Sequence, residues 1–193
     1  MIPTLPVYVV DFMKDIVTAM QDVVNSEEVL SQIKAAETQA LGSTKIEVID
    51  FQYGHKLELI ETLLQMDKDP DMRTRKYPCV YLVQDFVEER GNPDWYAKVY
   101  LNVIIMHQTL QAYKITDRYA KVFKPVLYPL YYSLLTEICK NPQCNEYPPD
   151  SIVHTKIDRS YWGRNDNVEK NMLNDFVDAI EIENLSLKLN FNC

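Results

Sequence analysis

Two long runs of β-branched and aromatic residues constrain this chain more than any other feature. Residues 77–86 read Tyr-Pro-Cys-Val-Tyr-Leu-Val-Gln-Asp-Phe, and residues 95–106 read Trp-Tyr-Ala-Lys-Val-Tyr-Leu-Asn-Val-Ile-Ile-Met. A connection of about eight residues containing Gly91-Asn-Pro-Asp94 separates them, which predicts an antiparallel hairpin. Its apolar side chains need cover on both faces, and the chain offers few helices to provide it. If the chain closes a ring with copies of itself, a neighbouring subunit is expected to bury part of the hairpin.

The other segments arrange themselves around that hairpin. Val9, Met13, Ile16, Val17, Met20, Val23 and Val24 form one helical stripe over residues 7–24. Asn25-Ser-Glu-Glu28 caps a second helix that runs to Leu41, and Gly42 stops it. Residues 45–51 alternate like a strand, and Leu57, Ile60, Leu63 and Leu64 return to helical spacing. A polar loop fills 67–75. From Asp117 a helix runs to Ile138, and Pro125 and Pro129 should break it near 124–129. Residues 151–175 read as polar and irregular. Residues 179–189 form a last strand, with Ile180 and Ile182 inward and a bulge near Asn184. The predicted fold class is α+β. N-terminal helices and a central proline-containing helix pack on one face of a mainly antiparallel sheet. A single domain spans residues 1–193, with 1–42 helical, 43–193 holding the sheet, and long loops near 87–95 and 141–175.

Composition removes several functions. Twenty Lys and Arg against 28 Asp and Glu give a net charge of −8, which argues against broad gripping of phosphate backbones. Only four glycines occur, and none builds a G-x-G-x-x-G or P-loop phosphate cradle. No run approaches the ~20 apolar residues of a membrane span, and the N-terminus lacks a signal-peptide layout. Four cysteines in such a chain read as reduced thiols.

Catalytic and metal patterns fail in the same way. Cys139 and Cys144 form a C-x4-C pair with His154 ten residues on, looser than structural zinc requires, so no metal and no cofactor is expected. Asp67, Asp69 and Asp71 alternate as in a calcium loop, without its glycine or its closing glutamate. His55, His107 and His154 make no HExxH, and no G-x-S-x-G elbow exists. No lysine has an acid two positions before it, which removes the commonest compact nuclease signature. The alternative function that stays open is a small cytosolic hydrolase with a scattered Cys–His site. Thirteen tyrosines and two tryptophans lack interleaved basic residues, so they read as core and interface anchors rather than base-stacking platforms. The candidate subunit-interface residues are Trp95, Tyr96, Tyr100, Tyr128, Tyr131, Tyr132, Tyr161 and Trp162.

Five segments carry a family resemblance: GHKLELIETLL at 54–64, KYPCVYLVQDF at 76–86, FKPVLYPLY at 123–131, KIDRSYWG at 156–163 and NDFVDAIEIENL at 174–185. With them the chain resembles neck and tail-completion proteins of tailed phages and prophages of Bacteroidota, a group of head–tail connectors with a tail-terminator-like fold. The resemblance implies a virion structural protein that is not an enzyme and is assembled in the host cytoplasm. It implies a closed homo-oligomeric ring, of roughly six or twelve subunits, contacting portal, neck or tail proteins. Double-stranded DNA would pass through the lumen without sequence-specific contact, and no membrane is involved. Residues 95–106 and 179–189 are the strands expected to offer sheet edges to neighbours.

Overall fold

The computed structural model describes residues 8–24, 48–90, 96–144, 148–164, 173 and 175–190. The expected helix over 25–41 and the turn at 91–94 lie outside these. The fold is α+β. Helix α1 (Val9–Val24) precedes strand β1 (Asp50–Gly54), helix α2 (Lys56–Met66) and the single turn α3 (Pro70–Arg73). The hairpin strands β2 (Cys79–Arg90) and β3 (Tyr96–Thr109) follow. A helical run then comprises α4 (Ile115–Arg118), a π-helical segment (Tyr119–Leu127) and α5 (Tyr128–Lys140). Strands β4 (Thr155–Arg159) and β5 (Phe176–Asn190) close the list.

The sheet order is β1-β2-β3-β5-β4. Every neighbouring pair is antiparallel except β1 and β2, which are parallel. A parallel pair needs a crossover, and α2 with α3 supplies it. That connection places α2 on the face opposite α1 and α5. Gly54 makes its start possible. Its φ is +141°, and a Cβ there would lie 2.5 Å from the Glu58 carboxylate. That carboxylate accepts from the His55 amide at 2.7 Å, and the His55 ring accepts from the Leu57 amide, so α2 opens with a reciprocal cap.

Two apolar clusters lie on the two faces. On the first, Phe12, Met13, Ile16 and Met20 of α1 and Leu127, Leu130, Leu134 and Ile138 of the central helix meet Val80, Leu82, Val99, Leu101, Val103 and Ile182. On the second, Leu59, Leu63 and Met66 of α2 meet Tyr81, Val83, Ile104, Met106, Val177 and Ala179. The hairpin's inner half is thus covered on both faces by the chain's own helices, which corrects the expectation that a neighbour must supply that cover.

Four further sequence expectations change. Strand β1 occupies Asp50–Gly54, later than the expected 45–51, of which 45–47 lie outside the described residues; pairing of Asp50 through Gly54 with Cys79 through Val83 sets its register. The segment 151–175 contains β4, which the wide spacing of its apolar residues conceals. Residues 95–106 and 179–189 are not edges: β3 and β5 pair with each other along their length at the sheet's centre. The expected break near 124–129 is absent, and the run stays helical from Ile115 to Lys140 with a change of bonding. α-Helical bonding gives way to π bonding over Tyr119–Leu127, and Tyr128 N–H reaches back to the Phe123 carbonyl. Pro125 has no amide to offer, and the wider turn accommodates its ring, while Pro129 sits at the start of α5 where no donor is needed.

Candidate assembly surfaces

Strand β3 is regular, and both of its neighbours bulge at the same level. Between Val83↔Asn102 and Val87↔Tyr100, β2 spends residues 84–86 against Leu101. Between Leu101↔Leu185 and Val103↔Ile182, β5 spends Glu183 and Asn184 against Asn102, and Asn184 takes φ +55°. The Asn102 side-chain carbonyl accepts from the Asn184 amide at 3.0 Å and holds that bulge. The expected irregularity near Asn184 is therefore real. A cavity of about 220 Å³ opens beside it, lined by Lys56, Val83, Asn102, Glu181, Glu183 and Asn184 among others.

The double bulge divides the sheet. Beyond it the first face stays apolar, with Ala97, Val99, Leu185, Leu187 and Leu189 all buried. The second face beyond it has no helix over it among the described residues. It presents Val87 (59% exposed) directly opposite Tyr100, Glu89 opposite Lys98, and Ser186 and Lys188 on β5. The Tyr100 hydroxyl donates to Glu89 at 3.3 Å, and the Lys98 ammonium lies 4.9 Å from the Tyr100 ring centre. An apolar pair framed by charges is a contact surface in composition.

A second aromatic group gathers where α5 meets β4. The Tyr128 hydroxyl donates to Asp158 at 2.8 Å, and that contact, after burial, raises the phenol to about 12. Lys156 pairs with Asp158 and lies 4.5 Å from the Tyr128 ring centre and 5.5 Å from that of Tyr131. The Tyr131 hydroxyl bonds His154 Nε2, whose Nδ1 in turn lies 2.7 Å from the Ile152 carbonyl. Tyr132 is 62% exposed, and Val153 and Tyr119 are exposed as well.

The candidate residues therefore separate. Tyr128, Tyr131 and Tyr132 come together, but Tyr131 is only 7% exposed and belongs to the core. Tyr100 lies apart on the bare face. Tyr161 adopts φ +56° and lays its ring 3.5 Å from the Arg118 guanidinium. Trp162 donates its indole N–H to Glu181 at 2.9 Å and packs on the second-face cluster, so it too serves the monomer. Trp95 lies outside the described residues, as does the side chain of Tyr96. The sequence reading passed over Tyr53, Tyr119, Val87 and Val153, all exposed. Alternation in Asp50–Gly54 was the available signal for Tyr53, once its register is known.

Buried charge marks the opposite end of the sheet. Arg118 and Asp178 are fully buried and paired. Arg118 also donates to the Tyr113 and Leu110 carbonyls at 3.1 Å, and Asp178 accepts from the Tyr161 amide at 3.1 Å. Lys76, equally buried, pairs with Asp67 at 2.7 Å and with Asp175. His107 is buried, its Nδ1 has no hydrogen-bond partner among the described residues, and desolvation pushes its pKa down to about 4. Burial pushes the Cys79 thiol well above its ordinary value, the wrong direction for a nucleophile. Among the described residues no three His, Cys, Asp or Glu side chains converge as metal ligands, and no helix is long and apolar enough to cross a membrane. Comparisons with protein-family models, with curated proteins and with solved structures found no match.

Proposed function

We propose that this chain is a structural subunit of a tailed-phage neck or tail junction, one copy in a closed ring around the DNA path. It works through surfaces, with no covalent step. The observation that carries the reading is the second face beyond the double bulge, where Val87 and Tyr100 sit opposite one another without a helix over them among the described residues. Such a face is a natural seat for an adjoining subunit or a neighbouring portal, neck or tail protein. The segment resemblance supports the same reading, and a net charge of −8 suits a conduit that repels a passing duplex instead of retaining it. The Cys–His hydrolase draws less support, since Cys79 is a buried thiol and both ring nitrogens of His154 are already engaged.

The test is size. Light scattering should find the wild-type protein as a defined ring, while Tyr100→Glu, which sets a charge on the bare face, should weaken assembly at least roughly tenfold. Circular dichroism of the variant should match the wild type. A wild-type protein that stays monomeric at every concentration, alone and in virions, overturns the proposal.

A further inference from the structure

The geometry points to a specific junction between copies: strand β4 of one subunit pairs antiparallel with strand β1 of the next, so that one sheet continues around the ring. This rests on the ring reading above and adds where and in what register neighbours meet.

The argument begins with the sheet's ends. The order β1-β2-β3-β5-β4 terminates in two different strands, and among the described residues nothing pairs with the outer side of either. Alternate backbone amides and carbonyls of each therefore face outward and need partners. Two unlike ends on one sheet define a heterologous, head-to-tail contact, the kind that closes rings. Strand direction also fits. β1 runs with β2, and β4 runs opposite to both, because three antiparallel steps separate β2 from β4. A second copy laid beside the first in the same orientation thus brings β4 and β1 together antiparallel, like most of the sheet.

Length and side-chain facing select the register. Each strand has five residues. Phe51 and Tyr53 align with Val80 and Leu82 on the first face, and Lys156 and Asp158 align with Ile182 and Ile180 on that same face. Asp50 and Gln52, and likewise Thr155, Ile157 and Arg159, point to the second. Only registers that set odd residues of β4 against even residues of β1 keep the faces matched. The one that pairs all five residues puts Ile157 opposite Gln52, Arg159 opposite Asp50 and Lys156 opposite Tyr53.

That register gives two of the exposed groups, Tyr53 and Arg159, a counterpart. Tyr53 is 53% exposed and stacks on Phe51, with ring centres 6.4 Å apart. Against the next subunit it would join Lys156, which already lies over Tyr128 and Tyr131, and extend that aromatic group. Arg159, exposed although it bonds Glu181, would face the Asp50 carboxylate.

Cysteines introduced at directly opposed positions test the junction, since opposed Cα atoms in an antiparallel pair lie within disulfide range. The double variant Gln52→Cys, Ile157→Cys should give, on mild oxidation, a ladder of covalent multimers that ends at the ring size seen by light scattering. The mismatched control Gln52→Cys, Val153→Cys should give no more than the wild type treated alike. Tyr53→Lys, which sets a cation against Lys156 of the neighbour, should weaken assembly at least roughly tenfold with an unchanged circular dichroism spectrum. A protein that assembles while the matched pair fails to cross-link and Tyr53→Lys still forms the ring overturns this junction and leaves the ring reading standing. A wild-type protein that never assembles removes both.

Discussion

The two halves of the central sheet share the strands β2, β3 and β5 and differ in what surrounds them. On the inner side of the double bulge, helices cover both faces, and the sheet margin holds a buried Arg118–Asp178 pair, buried Lys76 and buried His107. On the outer side, helices among the described residues cover only the first face, and the second mixes Val87 and Tyr100 with Glu89, Lys98 and Lys188. The two faces of the inner half serve the stability of one chain, while the outer half leaves its second face without a helix among the described residues. The bulges at residues 84–86 and 183–184 are the boundary, because they bend both outer strands while β3 runs through.

That division is open to direct attack. Removing one member of the inner ion pair should have the largest effect. Arg118→Met strands the Asp178 carboxylate in the interior and should cost about 3–5 kcal/mol in urea unfolding. A loss under 1 kcal/mol would show that the inner margin is not a stabilising device. Truncating the second-face cover comes next: Leu63→Ala should cost about 2–5 kcal/mol, since Leu63 of α2 is fully buried against the sheet.

His107 supplies a pH signature of the inner half. Its pKa is held near 4 in the folded protein, against about 6.5 when unfolded. The unfolded chain therefore takes up a proton first as pH falls. Stability from this group is complete above pH 6.5 and is lost progressively towards pH 4, by about 3 kcal/mol in all. His107→Phe should flatten that part of the stability profile, and an unchanged slope would argue against a neutral, desolvated ring. The smallest effect belongs to the outer half, where Val87→Ser should shift monomer stability by less than about 0.5 kcal/mol, because its side chain is already in water. A larger loss would mean that the outer second face is covered after all.

Whether a local pattern announces an element depends on which interactions hold it. Periodicity alone places α1, α2, the hairpin and β5, since each has a stripe or alternation several residues long. The two prolines announce a disturbed helix for a local reason, a missing amide, but no local pattern announces that the π geometry begins at Tyr119. Strand β4 has one apolar residue in five, and its identity comes from pairing with β5. Tyr131 and Tyr132 adjoin in sequence, yet helical geometry turns one into the core and the other to solvent.

By itself, then, the sequence determined an α+β chain with a central hairpin, a bulge near Asn184 and no room for phosphate-cradling loops, because those follow from spacing, β-branching and glycine count within short windows. Only the tertiary structure decided which strands are central, which face α2 covers, where the buried charges pair and which tyrosines stay in water. Each of those depends on residues far apart in the chain, such as Arg118 with Asp178 or Leu101 with Leu185, whose meeting no local pattern records.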